Sequence, residues 1–162
     1  MDRRQECESD SSSEDSLRLI FHLYNRQKEL PLAMPKVRAA LRELCSFLAI
    51  SSDELALYFV GKKRIGELHE EFFGDASPTD CISFPIDDSY LGEIFVCPAV
   101  ALDYAKKRGL DPHEETLLYV VHGLLHLVGF DDLTPQAKRI MRKKEKSCMR
   151  HLSKQGLSLH RK

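Results

Sequence analysis

The segment spanning residues 117–132, Leu-Leu-Tyr-Val-Val-His-Gly-Leu-Leu-His-Leu-Val-Gly-Phe-Asp-Asp, constrains this chain more than any other. A helix apolar around most of its girth belongs in a protein core, yet this one carries two imidazoles. His122 and His126 are four residues apart, so on a helix they share one face a turn apart and can direct ring nitrogens at a single cation. Gly129 suits the left-handed conformation that ends helices, and Asp131 or Asp132 beyond it is placed to supply a third ligand. The competing reading makes both residues ordinary core histidines satisfied by protein partners. Two histidines, a glycine break and two adjacent acids within eleven residues form a cluster that helix packing does not require. That cluster suits a zinc-like ion, one per chain, with a coordination position left open for water.

At 162 residues, with 43% apolar and 30% charged side chains, the chain can bury one sizeable core and is short for two domains. The apolar runs around His122 and Gly123 are too short to span a membrane. Residues 1–16 are rich in Ser, Glu and Asp and contain no apolar block, so they read as a disordered acidic tail and not as a targeting signal. A cytoplasmic location is expected. The five cysteines are widely spaced without a C-x-x-C pair, which indicates reduced thiols.

Charge is unevenly spread. Residues 1–16 hold six acids against Arg3 and Arg4, whereas residues 138–162 hold ten Lys and Arg against one acid, Glu145. A basic stripe including Arg139, Arg142, Lys143 and Lys146 is a candidate for gripping a phosphate backbone; a solvated helix face accounts for it equally well.

Along the chain, residues 17–24 read as a strand, and Pro35 opens a helix running to about Ala49. Residues 55–60 form a buried strand, and Ile65, Leu68 and Phe72 mark a short helix stopping near Gly74. Residues 81–84 and 91–96 are two strands close enough in sequence to pair antiparallel. Pro98 opens a helix stopped by Gly109, Asp111-Pro112 starts the histidine helix, and Thr134-Pro135 starts the last. The alternation predicts a single-domain α/β fold with a four-stranded mixed sheet, about five helices and the histidine helix in the core. The domain is drawn over residues 17–152, with a basic tail at 153–162. His22, His69, His113, His151 and His160 read as structural or surface residues.

The run His122-Gly-Leu-Leu-His126-Leu-Val-Gly129-Phe130-Asp131-Asp132 resembles the H-G-x-x-H-L-x-G-Y-D-H signature of the YbeY family of endoribonucleases. Residues 78–85, Pro-Thr-Asp-Cys-Ile-Ser-Phe-Pro, are similar to that family's P-T-D-V-L-S-F-P, and residues 91–94, Leu-Gly-Glu-Ile, to its L-G-D-I, all in family order. The resemblance implies a three-histidine zinc site, a single-domain α/β fold, and action on small-subunit ribosomal RNA, particularly its 3′ end, with a part in ribosome quality control. It also implies a single-strand-specific, metal-dependent nuclease whose partners are ribosomal RNA and the small ribosomal subunit with its proteins. Two positions depart from the pattern. Asp132 stands where the last histidine usually sits; a carboxylate remains a competent zinc ligand, so His122, His126 and Asp132 are the expected set. Phe73 stands where the family usually has an arginine near its cleft. Asp131 is a candidate for orienting water or a ligand, with loop capping as its plainer role.

Two rival functions follow. The H-x-x-x-H spacing also resembles a metalloprotease helix, but there the residue after the first histidine is a glutamate base, and here it is Gly123. The other rival is a non-catalytic small-subunit assembly factor with a structural metal, which the missing arginine favours.

Overall fold

The protein is described by a computed structural model over residues 19–161. The acidic tail and the first two residues of the predicted first strand lie outside the described residues. Nine elements follow in order: β1 Ile20–Arg26, α1 Met34–Phe47, β2 Glu54–Val60, α2 Lys62–Phe73, β3 Cys81–Pro85, β4 Tyr90–Val96, α3 Pro98–Arg108, α4 Pro112–Leu127 and α5 Pro135–Lys154. They build an α/β fold on a four-stranded mixed sheet of order β1-β2-β4-β3, as the alternation predicts. β1, β2 and β4 run parallel, and β3 pairs antiparallel with β4 at the edge.

Strand alternation divides the sheet between two layers. Phe21, Leu55, Leu57, Phe59, Ile94 and Val96 join the larger core with α1, α4 and α5. Val60 and Ile82 join a smaller cluster with Ile65 and Leu68 of α2. On that second face Tyr24, Tyr58 and Phe95 lie opposite one another in register and stack at 4.7 and 4.6 Å, a row of cross-strand aromatic pairs.

The central element is α4. Asp111 caps its N-terminus by accepting the His113 N–H at 2.9 Å, Pro112 supplies a first residue that needs no hydrogen-bond partner, and Glu114 and Glu115 favour the positive helix end. At the other end Phe130 N–H donates to Leu125 O (3.0 Å) and Gly129 N–H to His126 O (3.2 Å), while Gly129 takes φ 103°. This double closure needs the left-handed residue that glycine provides, and it turns the chain toward Asp131 and Asp132.

Gly123 explains how closely α4 lies on the sheet. A Cβ there would stand 2.6 Å from Ile94 Cγ2 and 3.1 Å from Ser83 Oγ, and Ser83 Oγ donates to Gly123 O at 2.8 Å. The helix is thereby pinned to β3 and β4, with its histidine face fixed relative to both.

Residues beyond α5 fold back onto the body. Leu159 is fully buried, its carbonyl accepts Ala33 N–H at 3.4 Å, and His160 Nε2–H donates to Asp111 at 2.6 Å. Among the described residues no helix is long and apolar enough to cross a membrane.

Replacing Gly123 by Ala forces a methyl into Ile94. The expected result is a stability loss of about 1–3 kcal/mol, read as a lowered denaturant midpoint at unchanged slope.

Candidate metal centre

His122 and His126 project from α4 with their rings nearly perpendicular, centroids 4.5 Å apart at 82°. Their Nε2 atoms are 3.0 Å apart. Asp132, carried in by the turn after Gly129, sets Oδ2 3.8 Å from His122 Nε2 and Oδ1 3.9 Å from His126 Nε2. Ligands about 2.0–2.1 Å from a tetrahedral ion stand about 3.4 Å from each other, so this triangle brackets the required size. The three side chains, all half-buried, offer donor atoms within 4.8 Å of one another. Two nitrogens and a carboxylate oxygen fit a zinc-type ion chemically as well as geometrically.

A fourth residue fixes the first. Glu145 of α5 accepts the Nδ1–H of His122 at Oε1, 2.5 Å away. That bond holds the imidazole proton at Nδ1 and leaves the Nε2 lone pair facing His126 and Asp132, the arrangement in which a carboxylate orients a ligating histidine. The same hydrogen bond raises the pKa of His122 above the ordinary histidine value; burial opposes it, and the charges of Glu145, Asp80 and Asp132 add to it. The raised pKa means that protonation at Nε2 competes with a cation there more strongly than at an ordinary histidine.

Glu145 reaches the site because it lies on the inward stripe of α5. Met141, Cys148 and Leu152 are buried at helical spacing, and position 145 falls between them on the same face. The sequence reading missed this role. The signal was present, since Glu145 is the one acid among ten basic residues and sits four residues after Met141.

The metal group opens onto a cavity of about 370 Å³ whose walls include His122, His126, His69, Phe73, Thr79 and Ser83. Cys81 also lines it, but burial pushes its thiol well above the usual value, reinforced by Asp80, Glu145 and Asp132, so it stays protonated near neutral pH. His69, read from sequence as surface or structural, stands on the cavity wall; no spacing rule connects it to residues 122 and 126.

The other predicted residues are placed as follows. Asp131 is exposed, and its Oδ1 accepts Leu133 N–H at 3.1 Å, holding the turn that presents Asp132. Arg139, Arg142, Lys143 and Lys146 are exposed on α5, and among the described residues none forms an ion pair. Gly123, where a metalloprotease would carry its glutamate, is buried against Ile94, leaving no room for a carboxylate.

The sequence model of the family described as Endoribonuclease YbeY matches residues 22–153. The chain belongs to the YbeY family. A relative named Endoribonuclease YbeY from Protochlamydia amoebophila (strain UWE25) is 44% identical over 142 residues, covering 84% of this chain and 95% of the relative. Another of that name, from Chlamydia felis (strain Fe/C-56), is 35% identical over 135 residues, covering 77% and 85%. Among solved structures, the solution structure of TM1509 from Thermotoga maritima superposes with a TM-score of 0.62 at 25% identity, covering 82% of this chain and 89% of that one. The resemblance read from the three motifs and the α/β fold expected from the alternation both hold for this YbeY-family chain.

Substituting Glu145 by Gln keeps the shape of the His122 partner and removes its charge. Zinc affinity, measured by competition with a chromophoric chelator, should fall about 10- to 100-fold. Equal affinity in the two proteins would leave Glu145 without a role at the ion.

Proposed function

We propose that this chain is a metal-dependent endoribonuclease that cleaves single-stranded RNA, with His122, His126 and Asp132 holding one zinc ion. The observation that carries the proposal is the donor triangle itself, backed by Glu145 and open to a cavity, in a chain of a family whose relatives are named endoribonucleases. When bound, such an ion supplies Lewis-acid polarisation of a phosphoryl oxygen and lowers the pKa of water toward neutrality.

The chain's own residues supply positioning. Glu145 keeps the His122 proton at Nδ1, so the ring meets the ion in one tautomer. Asp131 orients a ligand indirectly, by holding the turn that carries Asp132. Arg139, Arg142, Lys143 and Lys146 lie along one exposed side of α5 and hold RNA phosphates, an attraction that weakens steeply with salt. The working unit is the domain of residues 17–152. Its setting is the cytoplasm, its substrate the 3′ region of small-subunit ribosomal RNA, and its partners the small subunit and proteins on it, in maturation and quality control. This part of the proposal rests on family membership.

The alternative is a non-catalytic assembly factor with a structural metal, favoured by Phe73 in the place of an arginine. Cleavage of short single-stranded and duplex RNAs separates the two. The zinc-loaded protein should cut the single strands, lose activity with a chelator, regain it with zinc, and be inactive as His126→Ala. A zinc-loaded protein that cuts neither RNA but sediments with small subunits would be the assembly factor.

A further inference from the structure

Phe73 is 62% exposed on the cavity wall, and Phe72 beside it is 55% exposed. Phe72 has a packing partner in Phe84, 4.7 Å away. Phe73 has the tilted ring of His69 as its aromatic neighbour among the described residues, at 5.7 Å and 54°. A phenylalanine left this open forgoes the burial that would stabilise the fold, and it does so on the wall of the cavity that His122 and His126 also line.

Two further observations bear on what the ring meets. Among the described residues no Lys or Arg lines this cavity; what its walls offer is an aromatic face, hydroxyls and imidazoles. His69 is also set in one tautomer. Its Nδ1–H donates to Ser77 O at 2.8 Å, and Ser77 is itself fixed by N–H and O–H bonds to Asp75 Oδ1 at 2.9 and 2.6 Å. With a proton fixed at Nδ1, Nε2 is the ring nitrogen left to accept a hydrogen bond. The cavity volume falls within the range of small-ligand pockets, about 300–1,000 Å³.

We propose that Phe73 and His69 form a nucleobase subsite beside the metal centre, where Phe73 stacks on an unpaired base and His69 Nε2 accepts a hydrogen bond from its exocyclic amino group. This rests on the ribonuclease reading and gives it a substrate preference. Stacking serves any base, whereas the acceptor distinguishes cytosine, which offers an N4 amine, from uracil, which has a carbonyl oxygen there. Recognition in this chain thus runs through the base stacked on Phe73, and cationic side-chain contacts to phosphate are left to α5.

The test is binding of dye-labelled five-nucleotide oligo(C) and oligo(U) to the metal-free full chain by fluorescence anisotropy, which reads the subsite without any cleavage. The wild type should favour oligo(C). Phe73→Ala should weaken both RNAs about 5- to 150-fold, the stacking contribution of one base, and Phe73→Tyr should restore binding. His69→Ala should bring the oligo(C) and oligo(U) affinities together while leaving oligo(U) nearly unchanged. Phe73→Arg should steepen the salt dependence by about one unit of slope. Wild-type affinity in Phe73→Ala with circular dichroism unchanged, or a C-over-U preference that survives His69→Ala, would overturn the subsite. Failure of the zinc-loaded wild type to cleave would count against the ribonuclease reading alone, because the binding results stand apart from it.

Discussion

Two imidazole nitrogens 3.0 Å apart in a half-buried seam impose a demand that the surrounding structure has to meet. Removed from bulk water, each needs a partner, and each can turn toward the other only if one carries a proton or both give lone pairs to a cation. Glu145 resolves half of this by accepting the hydrogen bond from Nδ1–H of His122, and the Asp132 carboxylate lies on the inner side. The helix that carries the pair is held by features with no chemistry of their own. Gly123 lets α4 lie against Ile94, Ser83 ties the helix backbone to β3, and Gly129 closes the helix so that the acidic turn comes back over the seam. The site is a consequence of packing α4 between the sheet and α5.

Much of the fold was legible because the chain marks its own boundaries. Prolines 35, 98, 112 and 135 stand at or next to helix starts, and Gly74 and Gly109 follow helix ends in left-handed conformations. The short link between β3 and β4 leaves little but an antiparallel pair. His122, His126 and an aspartate after the glycine were legible because they fall within one turn-closed segment, where local geometry decides who can meet. Which aspartate was not decided by spacing, and the structure separates them: Asp132 faces the histidines, while Asp131 is occupied with Leu133 N–H.

Glu145 and His69 escaped for the opposite reason. Each meets the site through tertiary packing, Glu145 from an α5 stripe otherwise filled by Met141, Cys148 and Leu152, and His69 from α2 across the cavity. Spacing from Met141 puts Glu145 on the inward stripe of α5, but nothing within one segment reports which residues of another element it or His69 will meet. His113 and His160, read as structural or surface residues, likewise converge with Asp111 only because the last residues return to the start of α4.

The two departures from the family signature alter the chemistry in different ways. Asp132 in place of a histidine would keep the ligand count but add negative charge, which would make a bound ion a weaker Lewis acid and the site more hospitable to harder cations. Phe73 in place of arginine leaves the cavity without a Lys or Arg among the described residues, and under the proposed function phosphate recognition then falls to α5. The central claim is that two imidazoles and one carboxylate form the metal's protein ligands. X-ray absorption at the zinc edge of the loaded chain tests it most directly. The account predicts a shell of nitrogen and oxygen alone near 2.0–2.1 Å, with the outer scattering of two imidazoles. A sulfur contribution near 2.3 Å would place Cys81 on the ion and contradict it, as would a chain that retains no zinc after loading and gel filtration.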